Sequence, residues 1–108
     1  KLKGKLVQKP TPTPLCGFLA WASVAIFEVV SFSDDRNTNN LAPVIVMCPG
    51  DGDTTFWKVG KAYELDVLDR NPSSFGWTTL GAEILENYEI TYWLDDVFKV
   101  SGTGDLIK

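Results

Sequence analysis

No histidine occurs among the 108 residues, and cysteine is confined to Cys16 and Cys48. The first absence removes the commonest general base and the commonest zinc ligand, and with them every serine or cysteine nucleophile activated by imidazole. The second excludes a four-thiolate zinc site, and the two cysteines lack C-x-x-C spacing. Carboxylates are then the only acid–base groups to weigh: Asp34, Asp35, Asp51, Asp53, Asp66, Asp69, Asp95 and Asp96. Cleaving a glycoside needs two of them at a set separation across a cleft, and a chain this short has little room for cleft walls. The expectation is a protein with no catalytic residue, no cofactor and no resident metal.

Positive charge is scarce as well, with 10 basic against 14 acidic residues and a net charge of −4. Such a balance disfavours unaided attraction to nucleic acid or to an anionic membrane. The basic residues are uneven: Lys1, Lys3, Lys5 and Lys9 crowd the N-terminus, where a solvated strand face is the plain reading. The apolar run that ends at Glu28 falls short of the roughly 20 residues a membrane span needs. Lys1–Lys9 followed by Leu15–Ala25 has the outline of a secretion signal closing on Ser23-Val24-Ala25. We read it instead as part of the folded chain. A start on Lys rather than Met fits a trimmed N-terminus.

What the sequence does have is one long apolar stretch, Phe18 to Phe32, FLAWASVAIFEVVSF, in which Glu28 is the only charge. As a strand, both of its faces are mostly apolar. As a helix, Val24, Ile26, Val29 and Val30 lose side-chain freedom, and no polar stripe of helical width appears. A long strand, buried on both sides for part of its length, is the better reading. Fifteen residues exceed the usual length of roughly 3–10, so the strand is expected to bend, as small barrels require. Glu28 is expected at a watery strand end or opposite a lysine.

The rest divides into short strands. Leu2–Lys9 alternates as a first strand, and Pro10–Pro14 forms a stiff connector. After the long strand comes a polar turn, Ser33–Asn40, then a β-branched strand at Leu41–Cys48, where Pro43 marks either an edge strand or irregular first residues. Asp35, Asn37 and Asn39 have the opening spacing of a calcium loop without its glycine or its distal glutamate, and Asp51 and Asp53 repeat the defect. Both are read as turns. Ala62–Asp69 is a fourth strand. Trp77–Asn87 is either a short helix capped by Thr78 or Thr79, or irregular chain broken at Gly81. Tyr88–Leu94 is a fifth strand, and Phe98 and Val100 keep its parity if Asp95-Asp96 forms a bulge. Ser101–Lys108 reads as a loose tail. The sum is one all-β domain over residues 1–108, a five-stranded antiparallel small barrel with room for one short helix.

Three segments carry a resemblance: Trp21–Val30, Val44–Pro49 and Val59–Val67, that is, a long bent strand, a hairpin partner ending in Cys-Pro, and a V-G-K-x-Y-x-L-x-V strand. Together they resemble the OB-type barrel, in particular its secreted netrin-like or inhibitor-type version. The resemblance implies an extracytoplasmic, non-enzymatic binding or inhibitor-like domain for a protein or carbohydrate ligand. An OB barrel commonly has its helix between the third and fourth strands, whereas the candidate here follows the fourth.

The cysteines are open between a disulfide, two buried thiols and a reactive thiol. An oxidising compartment favours the pair. A hairpin folded symmetrically about Ser33–Asn40 opposes it, since Cys48 would then face Ala25, about 30 Å from Cys16 at ~3.3 Å per residue. Barrel closure or a doubling back of the Pro-rich arm would reunite them. Phe56, Trp57, Phe75 and Trp77 lie in or beside loops. They are candidate binding residues if exposed, and caps of the barrel ends if not. Two alternative roles are an acidic antagonist of a partner protein, inside the cell or in a periplasm, and a single-strand nucleic-acid binder for which the rings suit but the charge does not.

Overall fold

The computed structural model describes residues 1–10, 16, 20–34, 37, 40–48, 56–72 and 76–101, with side chains up to residue 97. It contains strands β1 (Leu2–Gln8), β2 (Trp21–Phe32), β3 (Leu41–Met47), β4 (Ala62–Leu68), β5 (Thr78–Leu80) and β6 (Tyr92–Ser101), with a 3₁₀ helix at Ala82–Asn87. Five of the strands close into a barrel in the order β1-β4-β6-β3-β2 and back to β1, and β5 is appended to β2.

The long apolar stretch is the hub. At twelve residues β2 outruns every partner. One of its edges holds β3 along Ala22–Glu28, and the other is shared, with β5 on Trp21–Ser23 and β1 on Ile26–Phe32. Sharing an edge between two strands requires the curvature expected from its length. Two register shifts in the β1–β2 ladder provide it, leaving Val30 and Val7 without an opposite residue. Each shift acts as a bulge that bends and twists the strand. Both valines turn to solvent, 43% and 39% exposed. Where the strands cross, a Cβ on Gly4 would stand 3.0 Å from Phe27 Cβ and 3.1 Å from the Glu28 carbonyl oxygen, so only glycine fits without displacement.

Alternation along β2 then sorts the residues. Ala25, Phe27 and Val29 join Leu2, Leu6, Val44, Tyr63, Leu65 and Tyr92 in the barrel core. The opposite face, Ala22, Val24 and Ile26, is buried too, together with Ile45 of β3. Glu28 is exposed and stands across the ladder from Lys5.

Several expectations need correction. The barrel is mixed: β3 meets β6 in parallel through Val44–Tyr92 and Ile45–Trp93, and β5 is parallel to β2. Neither parallel pair is consecutive in the chain, and a hairpin argument reaches only consecutive strands. Trp77–Asn87 is not one helix. Gly81, in the left-handed region at φ 74°, separates β5 from the 3₁₀ helix and replaces the expected threonine cap. The last strand starts at Tyr92 rather than Tyr88, whose N–H instead donates to the Leu85 carbonyl at 3.1 Å. The bulge falls at Asp95 as expected and makes Val97 the next core-facing position after Leu94; a second shift leaves Phe98 without an opposite residue and sets Val100 level with Tyr63. Ser101 belongs to β6, paired with Ala62, and not to the tail. Phe18, most of the Pro-rich connector and residues 102–108 lie outside the described residues.

Candidate functional site

Asymmetry in the β2–β3 hairpin decides the cysteines. The ladder runs from Glu28–Leu41 to Ala22–Met47, and the last residues of β2 run on past the start of β3. The register is therefore displaced by four residues from the symmetric expectation, and Cys48 comes level with Trp21, to whose carbonyl its N–H donates at 2.9 Å. Cys16 is only five residues from Trp21, and Cys16 and Cys48 form a disulfide with Cα atoms 5.3 Å apart. Cys48 adopts φ 51°, which ends β3 and turns its side chain toward the arm. The start of β2 thus becomes a junction. The disulfide ties down the Cys16 segment, and the Thr78 N–H donates to the Ala20 carbonyl at 2.8 Å, bringing in the segment that carries Trp77.

The candidate aromatic residues divide. Trp57 is 9% exposed and belongs to the core, with Phe56 packed half-buried against it. Their rings form a cluster with Phe27 and Tyr63, at centroid separations from 5.0 Å (Phe56–Trp57) to 6.1 Å (Phe27–Trp57), mostly edge to face. The Tyr63 hydroxyl positions them: it donates to the Phe56 carbonyl at 2.7 Å and accepts from the Lys58 N–H at 2.8 Å. Burial pushes the Tyr63 phenol above its ordinary range, and the Lys58 N–H offsets part of that. These two rings therefore pack against the barrel core at Phe27 and Tyr63. Trp77 is half-buried beside the junction. Phe75 lies outside the described residues, as do Asp35, Asn39, Asp51 and Asp53 of the calcium-like spacings.

A cleft of about 270 Å³ that sequence reasoning missed opens beside the ends of β2 and β4, between Lys1, Phe32, Ser33, Asp34, Val67, Leu68, Asp69 and Tyr92. Tyr92 is buried, packs edge-on against Phe32 at 4.9 Å and donates its hydroxyl to Asp34 Oδ2 at 3.1 Å. The arrangement sets carboxylate acceptors over an aromatic floor. Its residues come from four distant segments, and no local spacing in the sequence joins them. Among the described residues no helix is long and apolar enough to cross a membrane. No family model, no curated protein and no solved structure matches this chain.

Proposed function

We propose that the chain is a non-enzymatic binding or inhibitor-like module of an extracytoplasmic compartment, built on an OB-type barrel of the netrin-like kind. The observation that carries the reading is the Cys16–Cys48 disulfide at the junction where Cys16, β2, β3 and the Trp77 segment meet. Disulfides persist in oxidising compartments. A loop junction held by one is pre-organised, which lowers the ordering cost of binding a ligand. A small closed barrel with a crossover connection and displayed loops suits binding of extended polymers or protein surfaces. Trp77 and the exposed edge of Phe56 are the contacts we assign to a protein or carbohydrate ligand, with Trp57 as the buried support beneath.

Nucleic acid fits less well. Lys3 and Lys5, the centre of the basic segment, stand opposite Glu64 and Glu28 across the two ladders of β1. A basic strand neutralised in this way supplies no free stripe for phosphates.

Alkylation of the protein taken from its native source without reductant, followed by intact mass measurement, tests the compartment. No adduct is expected, and two adducts overturn the extracytoplasmic reading. Acrylamide quenching with single-tryptophan variants tests the contact surface. Trp77 should be quenched and Trp57 protected, and the assignment fails if Trp77 is as protected as Trp57.

A further inference from the structure

The barrel is closed on one side by only two residue pairs, Val44–Tyr92 and Ile45–Trp93. β3 ends at Met47, while β6 runs on to Ser101 with β4 on one edge only. From Asp96 onward the other edge of β6 has no strand beside it among the described residues. The Val97 N–H shows the consequence: its hydrogen bond goes to its own neighbour, Asp96 Oδ1, at 2.8 Å, at an exposed position. A donor satisfied in this way points away from β4, into the space where a next strand would lie, and a side-chain carboxylate stands in for the missing carbonyl.

Carboxylates crowd the start of this edge, and Lys99, which is level with Glu64 in the ladder, follows them. Asp66 of β4 and Asp96 of β6 are direct partners in the ladder, and the bulged Asp95 lies beside them. Like charges placed opposite each other in a sheet destabilise it. No cation pairs with any of the three among the described residues. On β1 the same barrel places opposite charges together at both corresponding positions.

We propose that the free edge of β6 receives an extended, lysine- or arginine-bearing segment of a partner protein as an added strand. Its backbone would take over the hydrogen bond now made by the Asp96 carboxylate. Asp96 would lie beside the added strand, and Asp66 one strand spacing further, about 4.8 Å, within reach of a long cationic side chain. A second copy of this chain would bring two more carboxylates, Asp95 and Asp96, for one cation, Lys99, and so would not relieve the Asp66–Asp96 repulsion. A basic strand turns that repulsion into attraction. The proposal rests on the reading of the chain as a binding module but not on its compartment. Thiol trapping tests the compartment, and the titration below tests the edge.

The probe is a fluorescein-labelled peptide alternating Lys and Val, titrated by anisotropy at low and at physiological salt. Its controls are an alternating Glu–Val peptide and an alternating Lys–Pro peptide, which keeps the charge but has no amide at every second position to pair. The Lys–Val peptide should bind at least about tenfold tighter than Lys–Pro, and Glu–Val should not bind. The double variant D66N/D96N should weaken Lys–Val binding several-fold while raising Tm, so that lost affinity cannot be ascribed to lost folding. Equal binding of Lys–Val and Lys–Pro, unchanged binding by the variant, or pairing of the free protein with itself through this edge overturns the proposal.

Discussion

Two walls of one barrel are built to different standards. The wall formed by β1, β2 and β3 is held redundantly. It has two bulges that set its bend, a glycine contact that only one residue fits, and opposite charges facing across both ladders of β1. A disulfide locks its far end. The wall formed by β4 and β6 meets β3 through two pairs, carries two bulges of its own, and sets Asp66 against Asp96. Both walls share one core, so hydrophobic burial does not separate them. The difference lies in what is added to burial, and it teaches that the first wall specifies the fold while the second is left with unspent pairing capacity.

The disulfide is the largest lever on this comparison. It closes a loop across a sequence separation of 32 residues. On the chain-entropy model that is worth ~3–4 kcal/mol, so a Cys16→Ala/Cys48→Ala variant should lose about that much in denaturant titration. A loss well under ~1 kcal/mol would mean that the first wall does not depend on its lock. Gly4→Ala comes next. Its new Cβ meets Phe27 Cβ and the Glu28 carbonyl, neither of them the far end of a flexible chain. A cost of ~1–3 kcal/mol is expected, and a neutral result would show that β1 can lift off β2 freely.

Tyr63 tests whether the aromatic plug belongs to the first wall or stands apart. Tyr63→Phe leaves the Phe56 carbonyl and the Lys58 N–H without their partner. The loss should be ~1–3 kcal/mol, and the 56–58 segment should become easier to cleave by protease. The phenol also gives a pH signature. Its pKa is raised in the fold by burial, so the neutral form is favoured there. That contribution is fully present below the unfolded value near 10 and fades as pH rises through the higher folded value. Wild type should therefore lose stability above about pH 10 more steeply than Tyr63→Phe. Parallel curves for the two proteins would rule this out.

How much of this was legible in the residues depends on the range of the interaction. The strand at Phe18–Phe32, its bend, the exposed Glu28 and the bulge near Asp95 all follow from local pattern, and the barrel follows from strand count. The disulfide was open because the symmetric hairpin centred on Ser33–Asn40 gives the wrong register. The true ladder starts at Glu28–Leu41 and leaves the end of β2 beyond β3, and nothing local in residues 28–41 reports that overhang. The same blindness hides the parallel β3–β6 seam and the cleft around Asp34 and Tyr92, whose members are 58 residues apart. Trp57 and Phe56 read as loop residues because they are; that a loop folds inward over Tyr63 is decided by a hydroxyl seven positions away.

The smallest expected effect bears most directly on the two walls. If the ladders differ in electrostatics as their registers imply, the same kind of charge change should act with opposite sign on each. Lys5→Glu places a second carboxylate against Glu28 and should cost ~0.2–1 kcal/mol, toward the lower end because Glu28 is exposed. Asp66→Lys converts the Asp96 pair into an attractive one, leaves the Asp96 carboxylate on the Val97 N–H, and should gain a similar ~0.2–1 kcal/mol. Both effects should shrink in 1 M salt, where the screening length falls to about 3 Å. Packing changes would not respond to salt in that way. If Asp66→Lys destabilises the protein in low salt, the repulsion inferred between Asp66 and Asp96 is absent. The second wall would then be as well satisfied as the first, and the argument that its edge awaits a cationic strand would lose its electrostatic half.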